Sequence, residues 1–205
     1  MADPQQLLSR RAPLVAPKLL GWTLSHKTEA GTVTVELTEV EAYAGTADPA
    51  SHAYRGPSPR NQVMFGPAGF LYTYFTYGMH WCANVVTGPD GEASAVLLRA
   101  GRVIEGAELA WLRRGEKVPE RGLARGPACL AQALALGKDQ NGANLLDNGV
   151  LRLEPGRRIK PAAISTGPRV GISVAAETAW RFWLTDDPTV STYKRSPRAP
   201  VVPNL

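Results

Sequence analysis

The first residues whose setting suggests chemistry are glutamates at the end of an alternating apolar run. In Val33-Thr34-Val35-Glu36-Leu37-Thr38 the apolar side chains recur at every second position, and the same phase carried onward reaches Glu39, Glu41 and Tyr43. A carboxylate on the apolar side of a strand is desolvated, which lifts its pKa above about 4.3 and makes it a better proton acceptor. Periodicity alone leaves Glu39 and Glu41 as competitors for that role. Such conflicts between pattern and residue type are where functional sites are expected. A polar loop with His52, Arg55 and Arg60 follows, and then a segment dense in tyrosine, with Tyr72, Tyr74 and Tyr77. Tyr72 and Tyr74, on one strand face, read more readily as core than as a ligand platform. Tyr77 is different, because Gly78 after it predicts a hairpin tip, where small polar residues are usual. Aromatics exposed beside basic groups are what proteins use to stack on bases or wedge between them.

Other chemistries lose support. His26, His52 and His80 are scattered, and neither Cys82 nor Cys129 sits in a CxxC pair, so no bound metal is expected. The chain contains no GxGxxG, no GxxxxGK[ST] and no GxSxG, the marks of dinucleotide sites, phosphate loops and serine nucleophiles.

The elements that must position these residues can be read from periodicity and punctuation. Residues 1–19 form a lead-in, with one short helix expected over 17–20 and Pro17 as its first residue. A strand is expected over 32–43. Residues 44–69, rich in Gly, Pro, Ser and Asp, read as a long loop, a length that usually signals function or mobility inside a compact domain. Strands over 70–75 and 81–86 are joined by a reversal at Tyr77-Gly78, and Gly88-Pro89-Asp90-Gly91 turns the chain into a third strand over 95–100. Val103, Ala107, Ala110 and Trp111 recur at helical spacing up to Gly115, and Gly126-Pro127 opens a second helix that buries Leu130, Ala133 and Leu134. Residues 169–174 and 180–184 are expected strands. The sum is one α+β domain spanning 1–205, an antiparallel β-meander with a protruding β-hairpin, flanked by helices.

Composition narrows the class. With 205 residues, 44% hydrophobic and 20% charged, the chain is too apolar and too evenly charged for general disorder. Two cysteines make no disulfide framework, so a reducing cytoplasm is the expected compartment. No apolar run approaches a membrane span, and Arg10-Arg11 with no apolar stretch behind it argues against secretion. The net charge of +5 is uneven: residues 1–150 hold 14 basic and 14 acidic side chains, residues 151–205 hold 9 and 4. A polyanion partner is the expectation, although a merely solvated basic face carries the same signature.

Longer blocks are recognisable. VEAYAG (40–45), His52, PRN (59–61), MFGPAGFLYTYFTYGMHWCANVV (64–86) and VLLRA (96–100) resemble the 3-methyladenine DNA glycosylase family of the alkyladenine type. RGPACLAQALAL (125–136) and GPRVGI (167–172) look like its later blocks, so the resemblance runs from about residue 20 to 192. It implies a monofunctional enzyme that flips damaged purines (3-methyladenine, 7-methylguanine, hypoxanthine, ethenoadenine) out of double-stranded DNA. Water would then hydrolyse the N-glycosidic bond, starting base excision repair, with no lyase step, no cofactor and no metal. By resemblance Glu41 is the general base, and Arg99 and the carbonyl of Val170 hold the attacking water. Tyr43 and Tyr74 sandwich the base, His52 completes the pocket, and Asn84 disfavours the amino group of normal guanine. Tyr77 is the wedge in the helix, with Met79 beside it. His80 departs from the family, which has a bulky aromatic there.

The remaining expectations concern surroundings. Arg60, Lys194 and Arg195 are assigned to the DNA backbone, and residues 193–205 read as a mobile basic tail. The enzyme is expected to be a monomer with no membrane partner, nucleoid-associated in a bacterium or nuclear in a eukaryote. Two other readings compete: a non-catalytic nucleic-acid-binding module on the same scaffold, and a hydrolase of free nucleosides. The joint presence of Glu41, His52, Tyr77 and Asn84 favours the glycosylase over the first, and a wedge tyrosine has no use in the second.

Overall fold

Two extended segments, each longer than a typical strand, form the spine of the fold. The computed structural model describes residues 3–200. Its elements run α1 (Pro4–Leu8), α2 (Ala12–Leu19), β1 (Thr23–Thr28), β2 (Gly31–Tyr43), β3 (Leu71–Thr76), β4 (His80–Val86), β5 (Ala95–Glu105), α3 (Ala107–Arg114), β6 (Ala124–Arg125), α4 (Pro127–Ala133), β7 (Leu151–Glu154), β8 (Ile164–Gly167) and β9 (Arg181–Leu184). Among the described residues nine strands make one antiparallel sheet, whose main path is β3-β4-β5-β2-β1-β7. β6 adds to β5, and β9, itself paired with β8, adds to β2. β1 flanks the first half of β2 and β9 the second half, so β2 is an interior strand along its length. The α+β class holds, as does the expected β3-β4-β5 meander; beyond it, β5 returns beside β2.

The pairing of β2 with β5 is broken twice within three residues. Leu37 faces Gly101, Glu39 faces Ala100 and Val40 faces Leu98, which leaves Thr38 extra in β2 and Arg99 extra in β5. An extra residue exchanges the faces to which the following side chains point. Core positions accordingly run Val33, Val35, Leu37, then Val40 and Ala42 along β2, and Val96, Leu98, then Val103 along β5. Gly101 permits the close crossing, since a Cβ there would lie 2.3 Å from Val35 Cγ1. The uninterrupted alternation expected over 32–43 is therefore corrected. Glu39, Glu41 and Tyr43 turn away from the face of Val33, Val35 and Leu37, and both glutamates are nonetheless fully buried.

The helix-packed core explains the other departures from expectation. Leu8, Ala12, Val15, Ala16 and Leu19 are all buried in it, so the lead-in is structural. Their spacing is helical, but the prolines obscure it: Pro13 occupies the first turn of α2, and Pro17 lies inside the helix rather than at its start. So close to the helix end, the N–H that Pro17 lacks removes one internal bond. β5 continues past residue 100 to Glu105 and takes Val103 out of the expected helix, which starts at Ala107 and stops where Gly115 N–H donates to the Trp111 carbonyl at 2.6 Å. On the opposite face Ala53, Met64, Tyr72, Val86, Ala93 and Ala95 form a smaller apolar cluster, with Val63, Phe65, Phe70 and Tyr74 packed against it. This cluster fixes the 44–69 loop over β3 and β4. No helix of the described residues is long and apolar enough to cross a membrane.

Candidate active site

After the bulge, β2 presents Glu39 and Glu41 side by side, yet their surroundings differ. Glu39 accepts hydrogen bonds from Arg181 Nε at 2.6 Å, Arg99 Nε at 3.1 Å, and the Ser191 amide and hydroxyl at 2.7 and 3.0 Å. Its lone pairs are engaged inside the protein. Glu41 accepts from the Val170 amide at 2.7 Å and the Tyr43 hydroxyl at 2.9 Å, with Arg99 Nη1 3.4 Å away. Burial pushes the Glu41 carboxyl above its ordinary value of 4.5, against the opposing pull of Arg99, the Val170 amide and Tyr43; the Glu39 charge pushes the same way as burial. For Arg99 burial works against the charge, but Glu41 and Glu39 more than restore it. It stays a cation between two carboxylates.

The three partners of Glu41, namely Tyr43, Arg99 and Val170, all line a cavity of about 420 Å3. His52, Tyr72, Tyr74, Cys82 and Asn84 line it as well, so every residue assigned by resemblance to the base pocket borders one space. Tyr72 and Tyr74 stack at 5.7 Å between centroids, and His52 meets Tyr74 edge-on at 4.5 Å. Tyr72 serves both readings, since it is buried in the smaller apolar cluster and borders the cavity. Burial holds the phenols of Tyr43 and Tyr74 well above their ordinary range, with the Glu41 charge adding for Tyr43. Burial, with Arg60 nearby, lowers the His52 pKa and favours the neutral ring. Asn84, opposite Tyr72 in the β3–β4 ladder, donates to the Tyr72 carbonyl at 3.1 Å.

The β3–β4 hairpin ends at the cavity rim. Tyr77 (φ 52°) and Gly78 (φ 68°) are both left-handed, and Met79 N–H donates to the Thr76 carbonyl at 3.2 Å. Glycine accepts that conformation freely, whereas tyrosine does so at a cost. The outcome is an aromatic ring 84% exposed beside Met79 at 67%. The tip thus carries exposed aromatic bulk at the rim of the cavity.

Residues 6–188 match the profile of the family described as Methylpurine-DNA glycosylase (MPG). The chain belongs to this family. It is therefore a DNA glycosylase, a hydrolase of N-glycosyl bonds acting in DNA repair. It is 51% identical over 194 residues to a Nocardia farcinica protein named "Putative 3-methyladenine DNA glycosylase", covering 92% of this chain and 90% of the relative. Proteins bearing the same name in Frankia casuarinae and Leifsonia xyli are 50% and 51% identical, covering 97% and 89% of this chain and 95% and 88% of theirs.

Several features of the glycosylase lay outside sequence reasoning. The expected strand over 169–174 is not formed: the Val170 amide bonds Glu41 instead of a neighbouring strand, and Arg169 runs inward to Asp48, with Nη1 and Nη2 donating to its two oxygens at 2.5 and 2.9 Å. The Val170 amide thus meets Glu41 directly, a contact additional to the water contact that the resemblance assigns to the Val170 carbonyl. Asp48 and Arg169 are 121 positions apart, and no local pattern announces such a pair. Arg181 and Ser191, which hold Glu39, were missed for the same reason.

The assigned backbone-contacting residues lie toward the periphery of the glycosylase. Arg60 donates to the Phe75 carbonyl at 3.2 Å and sits 5.9 Å from the Tyr74 ring. The Lys194 carbonyl accepts from Gly171 N–H at 2.9 Å, and Arg195 pairs with Glu177 at 2.6 Å. Of the basic residues in 151–205, Arg157, Arg169, Arg181 and Arg195 are in ion pairs, so the charge count overstates what a polyanion would meet. Residues 201–205 of the expected tail lie outside the described residues. Among the described residues no group of three or more His, Cys, Asp or Glu is placed to hold a metal.

Proposed function

We propose that this glycosylase excises alkylated and deaminated purines from double-stranded DNA by extruding the nucleotide and hydrolysing its N-glycosidic bond with water activated by Glu41. The observation that carries the reading is a fully buried carboxylate of raised pKa, set directly behind an aromatic cavity, with an exposed tyrosine at the rim. A base stacked in a duplex is out of reach, and its extrusion costs a few kcal/mol, least for a mispaired or damaged base. Tyr77 inserted in the gap offsets the lost stacking. The purine then lies against Tyr43 and Tyr74, with His52 at the edge and Asn84 testing its amino group. A cationic base such as 3-methyladenine or 7-methylguanine gains about 1 kcal/mol from the ring faces.

For the chemical step, Glu41 takes a proton from water as the oxygen bonds C1′, and the electrons of the C1′–N bond leave with the base. A cationic base departs as a neutral molecule. A neutral base such as hypoxanthine needs a proton as it leaves. Arg99, already shared between Glu39 and Glu41, holds the carboxylate in place and offers its charge to the water. A duplex carrying one methylated purine, hypoxanthine or ethenoadenine, incubated with the protein and scored for abasic sites, tests the proposal. Release of at least one of these bases is expected, and no release across the set would overturn it.

A further inference from the structure

We propose that Asp48 and Arg169 form a positioning pair for base removal, a clasp that sets the Val170 amide on Glu41 and the Tyr43 ring at the cavity wall; the inference rests on Glu41 being the base. Arg169 is 1% exposed and is the largest of the fully buried side chains. A buried ion pair is poor evidence of stability by itself, since apolar side chains of similar volume fill such a space at least as well. The placement of this pair suggests why the charges are present.

Arg169 Nη1 donates to the carbonyl of Ala42, the residue between Glu41 and Tyr43, at 3.0 Å. The guanidinium lies 4.7 Å from the Tyr43 ring centroid and 5.3 Å from that of Trp180. Its Nε, buried without a partner among the described residues, is forgone in this orientation. Arg169 does not border the cavity, so it supports Tyr43 from behind. Asp48 meanwhile accepts the amides of Ala44 at 3.2 Å and Ala50 at 3.1 Å, shaping the turn that delivers Ser51 and His52 to the cavity. One ion pair thus joins the end of β2, the base-pocket loop and the Val170 loop.

The charged and titratable groups facing Glu41 come from the sheet: Arg99 from β5, Glu39 and Tyr43 from β2, and Tyr74 and Cys82 from β3 and β4. The Val170 loop contributes an amide, a donor that favours the ionised carboxylate. If the clasp loosens, that donor withdraws and Glu41 holds its proton to higher pH.

Single-turnover release of 7-methylguanine from a duplex, followed against pH, tests this in the wild type, Arg169→Lys, Asp48→Asn and Glu41→Gln, with thermal melting as the check on folding. A cationic base leaves without a proton, so the acid limb reports the base. Both clasp variants are expected to release the base about tenfold to a hundredfold more slowly at pH 7, with the acid limb moved to higher pH and duplex binding unchanged. A limb in its wild-type place in a folded variant overturns the clasp. If a single variant does not fold, the neutral pair Asp48→Asn with Arg169→Gln replaces it, and the same limb decides. If Glu41→Gln is inactive and the limb is unmoved, the clasp alone fails. If Glu41→Gln releases base at the wild-type rate, the proposed role of Glu41 fails as well.

Discussion

Replacing Glu41 by glutamine should slow base release sharply and raise stability, and the two effects have one cause. The carboxylate is fully buried, with one amide at 2.7 Å, one phenol at 2.9 Å and a share of Arg99 at 3.4 Å. A raised pKa means that these partners do not repay the desolvation of the charge. Glutamine keeps the shape and an acceptor for the Val170 amide, and Arg99 keeps Glu39. In the unfolded chain Glu41 ionises near 4.5, in the fold only at higher pH. Its contribution to stability is therefore full below the ordinary carboxylate range and is lost as pH rises through the raised pKa, by up to about 1.4 kcal/mol per pH unit. Glutamine does not ionise. The melting temperature of the variant should then exceed that of the wild type by a gap that opens above about pH 4.5 and levels off once Glu41 is ionised, at about 2–4 °C per kcal/mol. Loss of a general base costs about 10²- to 10⁴-fold in rate, or about 3–5 kcal/mol of barrier. Calorimetry from pH 4 to 8 with single-turnover assays gives both readouts. A variant less stable than the wild type at every pH would show that the charge is net stabilising, and the reasoning from burial would fall.

Glu39→Gln, the same change two residues earlier, should act in the opposite direction: it leaves Arg181 and Arg99 short of a counter-ion, costing about 3 kcal/mol and about 10 °C in melting temperature. An unchanged melting temperature would refute the structural role of that anion. Tyr77→Ser should slow excision from duplex DNA far more than from single strands, which have no stack to wedge; equal effects on both substrates would count against the wedge. Lys194→Ala should weaken binding to all duplexes alike and lower the salt slope by about one unit, measured by fluorescence titration, while a change in lesion preference would point to a role in the pocket.

Local rules carried the sequence reading a considerable way. Alternation located β2, Tyr77-Gly78 located the hairpin tip, and Gly115 and Gly126-Pro127 bounded the two later helices, since each of these signals is decided within a few residues. The side chains that border the cavity were nameable because long motifs resemble a family. What escaped was non-local. Alternation identifies a buried face only while register holds, and the extra residues Thr38 and Arg99 become visible only when β2 and β5 are paired. α1 and α2 were obscured by prolines, whose local cost is outweighed by burying Leu8, Val15 and Leu19. Residues 169–174 look like a strand because their apolar spacing is strand-like, yet their polar groups serve Glu41 and Asp48 instead of a ladder.

Burial by itself does not distinguish Glu41 from Glu39, because both are completely shielded. The difference lies in how counter-ions are shared. Three buried carboxylates, Glu39, Glu41 and Asp48, meet three buried guanidiniums, Arg99, Arg169 and Arg181, so the cluster is neutral by count. Asp48 takes both ends of Arg169, and Glu39 takes the Nε of both Arg181 and Arg99. Glu41 is left with the outer nitrogen of a guanidinium already committed elsewhere. If Glu41 is the base, as proposed, full possession of Arg99 would hold its proton affinity down and make it a poorer base, whereas losing its share of Arg99 would raise its pKa further. The bulge that makes Arg99 extra in β5 lies opposite the Glu39–Val40 step of β2, where one guanidinium can reach both glutamates. On this reasoning the irregularity in the sheet is what tunes the carboxylate.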